Sequence, residues 1–170
     1  MKRYIYSPET ENIFAMSKIV DKYAIPSVAE NIGKFVYFSE SNSSHGPRIT
    51  FYGGSSETSS TQNSPTITFD IEGNCNVELN EWMNKKNCPN AFDADYIRNI
   101  EKFVKDNKAI LLLVWFGKLD EADALAYFHF HGQVNLRELF NCIEFTIPDS
   151  VTDLDELDQF CINSNQYKFS

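Results

Sequence analysis

Lys108–Leu119, KAILLLVWFGKL, is the stretch whose reading decides how the second half of this 170-residue chain folds. Every position from Ala109 to Trp115 is apolar, so neither a helical nor a strand period separates a wet face from a dry one. A segment that is apolar all round belongs in the interior. Its leucine content favours a helix, with a central strand as the alternative. In either case Trp115 is expected to be buried, among Leu111, Leu112 and a sheet face.

The neighbours of this stretch read as helices. AFDADYIRNIEKFVKDN places Phe92, Tyr96, Ile100, Phe103 and Val104 along one stripe. Beyond Trp115, Asp120 can cap a short helix over EADALAYFHF that ends near Gly132. Asn135 followed by Glu138 has the spacing of a capping box, with Val134 placed to staple onto Leu139. TDLDELDQFCI sets Leu154, Leu157, Phe160 and Cys161 on one side and acids on the other, an amphipathic helix resting on the body or on a partner.

The first half is mostly β-like. One helix is expected at the start, over SPETENIFAMSKIVDKY, with Ser7 as cap, Pro8 in the first turn, and Ile13, Met16, Val20 and Tyr23 on one face. Pro26 stops it. Strands follow at KFVYFS (Lys34–Ser39), RITFYG (Arg48–Gly53) and PTITFDIEG (Pro65–Gly73), and a fourth, CNVEL, comes after the Gly73-Asn74 turn. In the third, Ile67, Phe69 and Ile71 alternate with Thr66, Thr68, Asp70 and Glu72, as on a sheet with one buried face. Gly53–Ser64, GGSSETSSTQNS, has the composition of a flexible loop and lacks the Gly-Lys-Ser/Thr ending of a phosphate-binding loop. The expected fold is therefore α+β, a small antiparallel sheet of three to five strands packed against several helices. Its C-terminal half is helical, residues 1–170 form a single domain, and residues 149–170 form an acidic tail segment.

Composition narrows the function classes. With 42% hydrophobic and 14% aromatic residues, the chain can build a core. No apolar run approaches the roughly 18 residues of a membrane helix, and MKRYIYSPETENIF has no long apolar segment of the kind a signal peptide needs. The four cysteines, Cys75, Cys88, Cys142 and Cys161, contain no C-x-x-C pair. They read as reduced thiols of a cytoplasmic protein, with no metal or cofactor implied. The net charge of −9 is local: residues 120–160 hold ten acidic side chains against Arg137 alone, while residues 1–119 are nearly balanced. This pattern disfavours nucleic-acid binding. It suits either a solubilising face or a docking surface for a basic protein partner, with Asp153, Asp155, Glu156 and Asp158 as the candidate contact residues.

Three further constellations could carry chemistry. His45 and Arg48 flank the turn-forming Gly46-Pro47, and Arg48 and Thr50 share a strand face if the period is two. The three residues His45, Arg48 and Thr50 could hold a phosphate or carboxylate, or simply decorate a hairpin. His129 and His131 would share a face on a strand but diverge on the expected helix, so they read as ordinary histidines rather than metal ligands. Asp120, Glu121 and Asp123 sit where acids cap a helix and oppose its macrodipole.

The segment from Lys34 to Trp115, with VYFSESNSSHGPRITF as strand and turn and IEKFVKDNKAILLLVW as a helical pair, resembles a small bacterial family of unknown function. Its members carry a Pro-Pro-His-x-His hairpin and a closing Trp. Pro47 and Trp115 match that pattern; Gly46 stands at the first proline, and Arg48 and Thr50 stand at the two histidines. Families of this kind often sit beside a small partner protein in toxin–antitoxin-like pairs. The resemblance therefore implies a cytoplasmic protein–protein interaction module of a bacterial or phage accessory system, not an enzyme, and leaves self-association open. Two alternatives stand beside it. One is an acidic inhibitor or nucleic-acid mimic acting on a defence or regulatory protein; the other is an enzyme acting on a phosphorylated small molecule at the His45/Arg48 turn.

Overall fold

The computed structural model describes residues 46–50, 66–78, 86, 92–120, 123–124, 127 and 135–169. The expected first helix, the strand at Lys34–Ser39, the loop Gly53–Ser64, His45 and the His129/His131 pair lie outside these residues. The chain divides into two compact units, and within the described residues the border falls between Lys105 and Asp106.

The first unit contains three short strands, β1 (Arg48–Thr50), β2 (Thr66–Phe69) and β3 (Cys75–Glu78), in the spatial order β1-β2-β3. Both pairings are antiparallel, with Ile67 opposite Ile49 on one side and Val77 on the other. Alternation along β2 buries Ile67 and Phe69 and leaves Thr68 half-exposed, as the sequence pattern requires. The pattern does not continue through Ile71, because the chain turns at Asp70. The Asp70 carboxylate accepts from the Asn74 backbone N–H at 2.8 Å and from its side-chain amide at 2.7 Å, while Gly73 N–H donates to the Asp70 carbonyl at 3.0 Å. The φ of 87° at Gly73 lies in the region glycine occupies without strain, so the reversal falls there.

Helix α1 (Ala94–Asp106) follows. Asp93 supplies the N-cap: its carboxylate accepts from Asp95 N–H at 2.9 Å and its carbonyl accepts from Ile97 N–H at 3.0 Å. Phe103 and Val104 of the expected apolar stripe are buried. Phe92 is not part of it. It precedes the helix start and is 38% exposed, because the cap at Asp93 begins the helix after it.

The second unit is built on α2 (Lys108–Trp115), so KAILLLVW is a helix. All residues from Ala109 to Trp115 are buried, as expected of a stretch with no wet face. Each large aliphatic side chain buried in this way contributes about 1.5–3 kcal/mol relative to exposure. The helix ends in a Schellman motif: Gly117 N–H donates to the Val114 carbonyl at 3.0 Å, and Lys118 N–H to the Leu113 carbonyl at 2.8 Å. Gly117 makes this closure possible with φ 71°.

A short helix, α3 (Leu136–Phe140), is capped by Asn135, whose side chain accepts from Glu138 N–H at 2.8 Å. Helix α4 (Leu154–Asn163) packs against α2. Its contact side contains Leu157 and Cys161, both fully buried, while Leu154 and Phe160 are half-buried. Among the described residues, no helix is long and apolar enough to cross a membrane.

Candidate functional site

The acidic C-terminal segment can be built up from its helix ends. Asp153 is the N-cap of α4, its carboxylate accepting from Glu156 N–H at 2.8 Å. Glu156 reaches back in turn, its Oε2 accepting from Thr152 N–H at 2.6 Å and from Thr152 Oγ1 at 2.8 Å. The backbone N–H of Thr152, with help from its hydroxyl, holds the Glu156 carboxyl below its usual pKa. This reciprocal pairing satisfies N–H groups that the helix itself leaves unbonded. Asp155, in the same first turn, is exposed and complements the positive end of the helix.

At the other end, Asn165 N–H donates to the Ile162 carbonyl at 3.2 Å and Gln166 N–H to the Cys161 carbonyl at 2.8 Å. This is a second Schellman closure, here with Asn165 in the left-handed position at φ 55°. The reversal returns the chain along α4, so that the Tyr167 hydroxyl donates to Asp158 Oδ1 at 2.5 Å. Lys108, at the start of α2, approaches the other oxygen, with Nζ 2.9 Å from Asp158 Oδ2. The two side chains of this ion pair are only 14% and 20% exposed. Burial pushes the Cys161 thiol up to about 12, and burial together with donation to Asp158 pushes the Tyr167 phenol up. A thiol held protonated in this way is a poor nucleophile. The Lys108, Asp158 and Tyr167 contacts join α2, α4 and the residues after it.

Of the four acids that the sequence nominates for partner contact, the structure places three in the scaffold. Asp153 caps α4, Glu156 closes its first turn and Asp158 joins the tail to α2; Asp155 alone makes none of these contacts. The exposed carboxylates of the segment are Glu144, Asp149, Asp153, Asp155 and Glu156. Arg137, the lone cation of residues 120–160, comes within 4.0 Å of Asp149 Oδ1 among them. Its guanidinium donates to the carbonyls of Ile147 (3.4 Å), Pro148 (3.4 Å), Asp149 (3.5 Å) and Val151 (2.8 Å), and it lies 5.2 Å from the centre of the Phe140 ring. Beside it is an open cavity of about 240 Å³, lined in part by Phe140, Asn141, Glu144, Phe145 and Thr146. The sequence shows Arg137 only as an isolated charge. Its carbonyl partners lie ten to fourteen residues away and are met only through the fold.

The second nominated site is placed only through its backbone. His45 lies outside the described residues, Gly46 has φ 69°, and the Pro47 carbonyl accepts from Phe69 N–H at 3.0 Å. The ladder sets Arg48 opposite Thr68 and Thr50 opposite Thr66. Asp123, from the DEADA stretch, is buried, and its N–H donates to the Asp120 carbonyl at 3.1 Å, as at the start of a helix. Among the described residues, no group of three or more His, Cys, Asp or Glu could hold a metal ion. No family model, curated protein or solved structure matches this chain.

Proposed function

We propose that this protein works by protein–protein contact, using the acidic surface formed by α4 and the segment before it to meet a basic partner. One observation carries the reading: five carboxylates between Glu144 and Glu156 are exposed, while Arg137, the one cation of residues 120–160, reaches only Asp149 among them, at 4.0 Å, and otherwise donates to backbone carbonyls. Surface charge of one sign in local excess accelerates encounter with an oppositely charged protein and rejects like-charged ones. A cytoplasmic α+β protein in which a three- to five-stranded sheet packs on helices is the matching architecture. A bacterial or phage toxin–antitoxin-like pair is the matching setting, because there a small module meets one dedicated partner. An acidic inhibitor that occupies the nucleic-acid groove of a defence or regulatory protein would use the same surface. Competition by DNA or RNA for the partner separates that case from the general one.

The test is a partner retrieved by native pulldown, followed by association rates for the natural protein and for a variant carrying Glu144→Gln, Asp149→Asn and Asp155→Asn. These substitutions leave the helix cap at Asp153, the turn at Glu156 and the tie at Asp158 in place. The variant is expected to associate several-fold more slowly at low salt, with the difference shrinking as salt screens the field. Equal association rates at low salt would refute the proposal.

A further inference from the structure

We infer that the basic partner presents an arginine to the paired rings of Phe145 and Phe160, its guanidinium lying on the rings with Glu144 and Glu156 beside it. This rests on the acidic surface proposed above and names the side chain which that surface receives. The two rings lie 6.2 Å apart between centroids, tilted by 32°, and both residues are half-buried. Each has an exposed carboxylate close to it along the chain. Glu144 immediately precedes Phe145, and Glu156 lies one turn before Phe160, a spacing that makes them neighbours on the surface of α4.

Phe145 also lines the open cavity of about 240 Å³, together with Asn141, Glu144 and Thr146. These three polar residues are exposed, and their amide, carboxylate and hydroxyl oxygens can accept N–H bonds from a side chain that enters. Arg137 lines the same cavity, but its charge faces Asp149 at 4.0 Å and the Val151 carbonyl at 2.8 Å. Its guanidinium lies 5.2 Å from the centre of the Phe140 ring. The fold therefore already holds one guanidinium on a phenylalanine beside acceptor oxygens, which is the arrangement inferred for the partner. Arginine suits this surface better than lysine. A planar guanidinium is weakly hydrated, so it covers an aromatic face at low desolvation cost while its edge N–H groups reach carboxylates. An ammonium is a compact, strongly hydrated charge that gains less from the rings.

The experiment titrates the full chain, isotope-labelled at phenylalanine, with hexa-arginine and separately with hexa-lysine, following ring signals and affinity by NMR. Hexa-arginine should bind about twofold to fivefold more tightly than hexa-lysine, with the largest ring shifts at Phe145 and Phe160. Arginine also pairs with carboxylates better than lysine does, so the rings are tested directly. Phe145→Leu and Phe160→Leu, made singly to keep an apolar side chain at each half-buried position, should each reduce the preference and leave hexa-lysine affinity unchanged. A preference undiminished in both variants would overturn the inference, as would shifts confined to other phenylalanines. The shifts are read on the natural chain and decide the matter even where a variant fails to fold. Equal affinity for the two peptides would overturn the arginine site and leave the acidic surface standing as a contact for basic proteins. Binding of neither would remove both readings.

Discussion

Replacing Trp115 with Ala tests the central claim about α2, that a helix without a wet face is held by burial on all sides. Trp115 is 3% exposed at the last position of the helix. An indole of this kind removes about 150–250 Å² from water. At roughly 25 cal/mol per Å², and after allowing for what an alanine retains, the loss is about 3–5 kcal/mol, which matches the range for truncating buried aromatic residues. For a chain of this size each kcal/mol moves the melting temperature by about 2–4 °C. The Trp115→Ala variant should therefore melt roughly 6–20 °C lower by far-UV circular dichroism, with a lower urea midpoint and a similar slope. Trp115→Phe, which keeps much of the apolar area, should lose less than half as much. A Trp115→Ala protein melting within about 2 °C of the natural one would refute the reasoning, since a side chain that buries this much area cannot be removed without effect.

Two further outcomes follow from the helix ends and the buried thiol. Gly117→Ala should destabilise by about 1–2 kcal/mol, the cost of a Cβ in the left-handed region, whereas Asn165→Gly should be neutral or slightly stabilising; chemical denaturation of the two variants side by side checks the contrast. For pH, the folded-state pKa of Cys161 lies above its ordinary value, 9.0 shifting to about 12, so the folded state holds its proton longer than the unfolded one. The resulting stability is fully present below about pH 9 and is lost as pH rises toward 12, and Tyr167 acts in the same direction. Urea midpoints should fall across that window, and Cys161→Ala should flatten the fall; a midpoint that rises with pH there would contradict the burial of both groups.

Much of the local structure was legible in the sequence because its causes are local. The alternation of Ile67 and Phe69 with Thr68, the cap at Asn135, and burial of the apolar run from Ala109 to Trp115 each depend on residues within one or two turns or one strand. Side-chain period and backbone hydrogen-bond demand act at that range. The choice of helix over strand for Lys108–Trp115 was less legible, since a run that is apolar all round carries no period.

What only the tertiary structure decided concerns groups brought together by chain reversal. Lys108 and Asp158 are fifty residues apart, and no spacing rule links them. They meet because α4 packs its Leu157 and Cys161 side onto α2, which carries Asp158 alongside Lys108. Asn165 then turns the chain back so that Tyr167 reaches the same carboxylate. The acidic count was visible from the sequence, but the division of labour within it was not. A carboxylate's role is set by the donor that faces it, and for Glu156 that donor is adjacent, while for Asp158 it comes from the other end of the fold.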